Sequence, residues 1–231
     1  MTAFMPLVTP SKQSAELPLE NGDRLDQPTF HRRYEAMPAG FRAELISGRV
    51  HVPSPAKGRH SSNHGRVMGW LMVYQSRTPN TQFYDNGTIY FGADGELQPD
   101  ACLTVDGGQT HFNEDDYMVG PPEFVVEVAS SSVAYDLFDK RAAYETAGVR
   151  EYLVLLVREG RAVWFVRSSA DKSRFTETPP DSDGIHRSPT IPGLWLDAAA
   201  LLRGDCARVI EVVNMGTATM EHAAFVAKAR L

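Results

Sequence analysis

Two acidic residues stand where strands would hold them. Asp100 follows Pro99 and leads into the apolar run ACLTV (101–105), and Glu127 interrupts the run PEFVVEVA (122–129). A carboxylate among such neighbours is costly unless its charge is met. Neighbouring strands lie about 4.8 Å apart, so two carboxylates on adjacent strands that face the same way can share one cation. Mg²⁺ suits such a pair, because it takes oxygen ligands and binds through one or two carboxylates completed by water and substrate phosphate. The competing reading of Glu127 is a strand-end glutamate paired with an arginine.

A third group lies downstream. Asp136, Lys140 and Tyr144 recur at i, i+4 and i+8 in VAYDLFDKRAAYETAG (133–148). On a helix they share one face. Only three serines separate this segment from the strand of Glu127, so Lys140 can extend back over the acids. A lysine there can hold an attacking water and stabilise negative charge developing on a phosphoryl group. A solvated Asp136–Lys140 pair would explain the same spacing and is worth roughly a few tenths of a kcal/mol. Tyr144 reads as packing, and Asp136 as an orienter of Lys140 or a helix cap.

The elements that must position these groups follow from periodicity and turn residues. TFHRRYEAM (29–37) reads as a two-turn helix capped by Thr29. AELI and RVHV form a hairpin turning at Ser47-Gly48. A helix follows, capped by Ser62 or Asn63, with Val67, Trp70, Leu71 and Tyr74 as its apolar face. TQFYDNGTIYFG (81–92) reads as two strands turning at Asn86-Gly87. LQPDACLTV (97–105) is a strand entered from Pro99, 106–120 a polar loop and FVVEVA (124–129) a strand. The helix over 133–147 ends at Gly148. EYLVLLV (151–157) is continuously apolar, as a central strand should be, and AVWFVR (162–167) returns antiparallel. Strand, helix and strand over 124–157 form a βαβ unit, so its strands are parallel with a right-handed crossover. Residues 168–190 are an exposed loop or hairpin, and IPGLWLDAAALL (191–202) a short strand and helical turn. A weaker helix candidate, TMEHAAFVAKARL, closes the chain.

Composition narrows the function classes. The 231 residues, 42% apolar and 23% charged, are those of a soluble globule. A formal charge of −6 argues against a nucleic-acid coat protein but not against an enzyme that recruits a cation. Local basic groups exist at Arg32-Arg33, Lys57/Arg59, Arg66 and Lys140-Arg141. Two cysteines give neither a disulfide framework nor metal spacing. No signal-peptide pattern, membrane-length apolar run, P-loop or dinucleotide glycine motif is visible. A cytoplasmic protein without a membrane partner is expected.

Taken in order, Pro99-Asp100, PPEFVVEVASSS (121–132), the Asp136…Lys140…Tyr144 segment and GVREYLVLLV (148–157) resemble the Uma2 family, restriction-endonuclease-like members of the PD-(D/E)XK nuclease superfamily. The resemblance extends to FRAELISGRVHV (41–52), the helix at 60–74 and SPTIPGLWLD (188–197), covering roughly residues 28–202. It implies an α/β (α+β) fold, a restriction-endonuclease-like core with a bent mixed β-sheet flanked by helices. It implies that Asp100 and Glu127 are metal ligands and that the site lysine is Lys140, since the superfamily's usual lysine position is Ala129 here. Glu44 matches the family's early glutamate, which completes the metal shell or holds a metal-bound water; a surface hairpin charge is the alternative. His64 falls where it can approach phosphate or water, or is a surface or capping-turn histidine. His60 and His64 are spaced i, i+4, but without H-E-x-x-H a zinc hydrolase has little support.

The expected organisation is a flexible segment 1–27, an endonuclease domain 28–205 and a C-terminal extension 206–231. The expected activity is Mg²⁺- or Mn²⁺-dependent hydrolysis of DNA phosphodiester bonds, and a homodimer is expected from the family resemblance and from apolar residues of the C-terminal extension, Val209, Val212, Val213 and Phe225, that could be exposed. Two alternatives are a catalytically silent nuclease-fold binding protein and a metal-dependent hydrolase of small phosphodiesters.

Overall fold

The computed structural model describes residues 17–130, 133–167 and 174–228. Helix α1 (Gln27–Glu35) leads to the hairpin β1 (Glu44–Ile46) and β2 (Arg49–His51), then to the long helix α2 (Gly58–Arg77). Strands β3 (Thr81–Asp85), β4 (Ile89–Tyr90), β5 (Glu96–Leu97), β6 (Ala101–Val105), β7 (His111–Phe112), β8 (Met118–Val119) and β9 (Phe124–Ala129) follow. A π-helical turn (Tyr135–Lys140) runs into α3 (Arg141–Ala147). The remainder is β10 (Glu151–Leu156), β11 (Arg161–Arg167), β12 (Phe175–Glu177), β13 (His186–Arg187), β14 (Trp195–Leu196), α4 (Ala198–Arg203), α5 (Cys206–Thr217) and α6 (Met220–Lys228).

Two mixed six-stranded sheets result, ordered β2-β1-β5-β4-β8-β7 and β12-β11-β10-β9-β6-β3, with helices flanking them. As expected, β9 and β10 are parallel, with Val154 beside Glu127, and α3 lies in the connection between them. Both strands are buried along their whole length. Alternation sorts their side chains into two cores. Phe124, Val126, Val128, Leu153 and Leu155 pack with Val67, Trp70 and Leu71 of α2. Val125, Ala129, Tyr152, Val154 and Leu156 pack with Tyr144 of α3. Glu127, two residues from Val125 and from Ala129, therefore faces the α3 side.

The two sheets are joined by one continuous ribbon. Thr81 pairs with Val105 and Asp85 with Ala101; the Asn86 N–H then donates to the Asp100 carbonyl at 3.3 Å; Ile89 pairs with Leu97 and Tyr90 with Glu96. A single antiparallel register runs through, and the chain reverses at 91–95, where the Phe91 N–H meets the Gly95 carbonyl. The turn expected at Asn86-Gly87 is instead the bend between sheets. Asn86 takes a left-handed φ of 51° there, and Pro99 on the facing strand has no N–H to extend the ladder. LQPDACLTV is accordingly two strands, and Asp100 sits at the bend.

Other expectations shift at their ends. Asp26, not Thr29, caps α1, its carboxylate accepting from the Thr29 N–H. α2 begins at Gly58, and Asn63 is buried inside it, its amide donating to the Arg59 carbonyl and its oxygen accepting from Arg66. The loop 106–120 contains β7 and β8, because Met118 is apolar enough to bury beside Ile89. Of the segment expected to be flexible, 1–16 lie outside the described residues. Residues 17–26 include buried Leu19 and pair with β2 through Arg24 and Arg49. Val209 and Val213 on α5 are buried in the same core as α2 and Val212 is buried as well, so these three offer no surface to a second copy. Among the described residues no helix is long and apolar enough to cross a membrane.

Candidate active site

The β6–β9 ladder pairs Ala101 with Val126. One residue further, the same register sets Asp100 opposite Glu127. Both line a cleft of about 820 Å³, together with Glu44, His51, His60, His64, Asp136 and Lys140. The juxtaposition read from the sequence is therefore present.

Lys140 closes the floor. Its ammonium donates to Glu127 Oε1 at 2.9 Å and stands 2.9 Å from Glu44 Oε2. Glu44 is 5% exposed, and its other oxygen accepts from the Gln98 N–H at 2.8 Å. It is an internal carboxylate rather than a surface hairpin charge, because β1 places it beside β5 inside the sheet. The Tyr144 hydroxyl also donates to Glu127 Oε1, at 2.9 Å. Tyr144 thus packs and bonds at once, more than the packing role its spacing suggested. Both of these hydrogen bonds fall on Oε1 of Glu127.

Burial alone would lower the Lys140 pKa, but Glu127 and Glu44 outweigh it and hold the ammonium well above its ordinary value. Burial pushes the Glu127 carboxyl well above the usual carboxylate range, against the pull of Lys140. The cluster as a unit grips protons more tightly than its separate side chains would in water. Asp136 is 2% exposed, which excludes the solvated Asp136–Lys140 pair. The Asp136 carbonyl accepts from the Tyr152 hydroxyl at 2.9 Å, pinning the π-helical turn to the sheet. Such turns widen a helix locally and recur at functional sites; here both Asp136 and Lys140 face inward from it.

Asp100 is held differently. Its Oδ2 accepts from the Val128 N–H at 2.7 Å, and its Oδ1 lies 3.1 Å from His60 Nε2. His60 Nδ1 meets the Val128 carbonyl at 2.8 Å. Both ring nitrogens face oxygen acceptors, an arrangement that favours the protonated ring. The Asp100 hydrogen bond raises the His60 pKa, with burial opposing. Burial works against ionised Asp100, but His60 and the Val128 N–H outweigh it and lower its pKa. His64 Nε2 lies 2.8 Å from the Asp100 carbonyl and 3.1 Å from Asp85 Oδ1. His64 is thus an inward-facing member of the cleft and not a surface or capping residue. Sequence reading passed over His60. Its signal was the i, i+4 spacing with His64 on one helix, which counted for little without a third ligand in sight.

The basic residues do not converge. Arg33 bonds the Leu17 and Pro18 carbonyls and Asp23, Arg66 the carbonyls of Leu201 and Leu202, and Arg141 stacks on Phe165. Only Lys57 and Lys140 of the expected set line the cleft, joined by Arg42.

Two mixed sheets joined at a proline–aspartate bend, with a strand glutamate and a helix lysine meeting in one cleft, define a restriction-endonuclease-like protein. The chain belongs to the Uma2 family, described as "Putative restriction endonuclease", whose profile matches residues 28–199. Its fold is similar to the crystal structure of "a putative nuclease belonging to DUF820" from Anabaena variabilis ATCC 29413. The TM-score is 0.53 at 12% identity, over 79% of this chain and 97% of that one. No curated protein matches the chain.

Proposed function

We propose that the chain is a divalent-metal-dependent endonuclease that hydrolyses phosphodiester bonds in DNA. The observation that carries the reading is the opposition of Asp100 and Glu127 across β6 and β9, with the Lys140 ammonium 2.9 Å from Glu127 at the floor of an open cleft. The donors fit a hard cation. Asp100 and Glu127 supply oxygens facing one way, and Glu127 Oε2 is not engaged by Lys140 or Tyr144. Charge supports the same view. Arg42, Lys57 and Lys140 meet Glu44, Asp100, Glu127 and Asp136 in the cleft lining, and an excess of carboxylates repels a phosphodiester unless a cation intervenes.

A bound Mg²⁺ or Mn²⁺ would lower the pKa of a coordinated water and polarise a phosphoryl oxygen. The protein's own groups do the rest. Asp100, anchored by the Val128 N–H, fixes the ligand position. Glu44 and Tyr144 fix the rotamers of Lys140 and Glu127. Lys140 presents a compact positive charge where negative charge develops on the phosphoryl oxygens, and such preorganised charge stabilises the transition state at little reorganisation cost. The sparse basic lining favours a second reading, a hydrolase of small phosphodiesters.

The test is purified protein on supercoiled plasmid, linear duplex, single-stranded DNA and RNA, with Mg²⁺, Mn²⁺ or EDTA. Cleavage of DNA that EDTA abolishes is expected. Hydrolysis of a small phosphodiester with every polymer intact selects the second reading. Inertness toward all of them, with no metal bound, leaves a nuclease-fold binding protein.

A further inference from the structure

We propose that His60, His64 and Asp100 form a metal site of their own within the cleft, one that takes a first-row transition ion such as Mn²⁺, Co²⁺ or Zn²⁺ in preference to Mg²⁺. It rests on the reading of the cleft as a metal-dependent hydrolytic site and names the class of ion that site selects.

Three observations converge on it. Ligand atoms of His60, His64 and Asp100 all lie within 4.8 Å of one another, and among the described residues no other three histidine, cysteine or acidic side chains do. His60 Nε2 and Asp100 Oδ1 are 3.1 Å apart; two ligands at right angles, each about 2.1 Å from one ion, stand about 3.0 Å apart. The spacing is thus already that of two adjacent ligands to one ion.

The surroundings are those of a supported site. A ligating histidine commonly donates its other ring N–H to a backbone carbonyl or carboxylate, which fixes the tautomer and aims the remaining lone pair. His60 Nδ1 meets the Val128 carbonyl at 2.8 Å, which assigns Nε2 to the ion. Asp100 Oδ2 is tied to the Val128 N–H, which leaves Oδ1 turned toward His60. One residue of β9 therefore orients two ligands through its two backbone groups. The two histidines sit one turn apart on α2, whose next turns are anchored in the core by Val67, Trp70 and Leu71. Asp85 Oδ1 and the Asp100 carbonyl, beside His64 Nε2, add further oxygens.

Two imidazoles decide the selectivity. Imidazole suits Zn²⁺ and its transition-metal neighbours, whereas Mg²⁺ prefers an oxygen octahedron and gives up water reluctantly. Glu127, bonded to Lys140 and Tyr144, is not one of the three ligands. Asp100 is thus common to this site and the carboxylate pair.

The test is calorimetric titration of the untagged full chain with Co²⁺ and with Mg²⁺, beside His60→Gln, His64→Gln and Glu127→Gln. Co²⁺ should bind at one ion per chain at least tenfold more tightly than Mg²⁺. Each histidine substitution should weaken Co²⁺ at least tenfold, and E127Q should weaken it less than threefold. Because His60 also ties α2 to β9, H60Q could fail to fold. H64Q and the wild-type chain loaded with Mn²⁺ then decide: spin-echo modulation from directly bound nitrogen is expected. Unchanged Co²⁺ affinity in H64Q, Mg²⁺ as tight as Co²⁺, or no bound nitrogen overturns the proposal. Binding is read without a nuclease assay, so the readings can fail separately. Co²⁺ held by the histidines without cleavage sinks the endonuclease alone, and Mg²⁺-supported cleavage in a chain without the histidine site sinks this site alone.

Discussion

Glu127 and Glu151 make a natural pair for comparison. They lie on neighbouring parallel strands, are 4% and 0% exposed, and face opposite sides of one sheet. Burial raises the pKa of both. What surrounds them differs. Glu151 accepts from Trp164 Nε1 at 2.7 Å, from the Ser188 hydroxyl at 2.5 Å, from the Thr190 N–H at 3.0 Å and from the Thr190 hydroxyl. Neutral donors fixed by the fold surround both of its oxygens. Glu127 has one oxygen bound by an ammonium and a hydroxyl, in the wall of a cleft. A closed set of neutral donors ties β10 to the segment before β14. At Glu127 a buried ammonium shared with Glu44 stands in place of the neutral donors, beside the cleft. The contrast teaches that burial and a raised pKa, which both carboxyls share, do not by themselves separate a structural carboxylate from one that lines a cleft.

The largest effect expected from breaking this contrast is at Asp100. D100A removes the ligand proposed as common to the carboxylate pair and the histidine set. Cleavage should fall by about a thousandfold or more, together with metal affinity, as measured by plasmid nicking and calorimetry. The same change leaves the Val128 N–H and His60 Nε2 without their carboxylate partner and should cost about 1–3 kcal/mol in denaturant unfolding.

Glu151→Ala should act only on stability. It leaves the indole N–H and the Thr190 N–H buried without acceptors, at about 1–3 kcal/mol each, while the folded fraction retains its cleavage rate. Loss of rate per folded molecule would place Glu151 in the mechanism and dissolve the comparison.

A pH series sharpens it. A carboxyl whose pKa is raised on folding binds its proton more tightly in the native state. Its contribution is therefore full below the unfolded value and is lost as pH rises through the native one. E151Q should flatten the decline in stability as pH rises past the ordinary glutamate value of about 4.5, as read from unfolding curves between acid and neutral pH. An unchanged slope would assign the decline elsewhere. The smallest effect is expected at Tyr144→Phe. It deletes one hydrogen bond to Glu127 and should cost about 1 kcal/mol of stability, with a modest fall in rate.

These particular residues also show what the chain made legible. β9 and β10 were readable to within a residue, because strands buried on both faces must be apolar throughout. The placement of Lys140 was readable because i, i+4 spacing faces one way whether the turn is α or π; the π geometry itself left no mark. The bent ribbon was not readable. Asn86-Gly87 has the chemistry of a hairpin turn, and nothing local reveals that 81–90 pairs with 96–105. Asn63 looked like a cap for the same reason, since its role inside α2 depends on Arg66 and α4, far away in sequence. The histidine–aspartate cluster was hidden because α2 and the proline–aspartate bend meet only in the folded sheet.

The central claim is that Lys140 acts on the reaction rather than on the architecture of the cleft. The direct measurement is single-turnover plasmid cleavage by Lys140→Ala at saturating Mn²⁺, with metal affinity measured on the same preparation. Metal affinity within about threefold of wild type and a rate lower by about a hundredfold to a thousandfold is predicted, since the interaction is made chiefly in the transition state. Lys140→Arg should recover little, because a planar fork cannot replace a compact ammonium. A folded K140A chain that binds metal and cleaves at the wild-type rate would contradict the account.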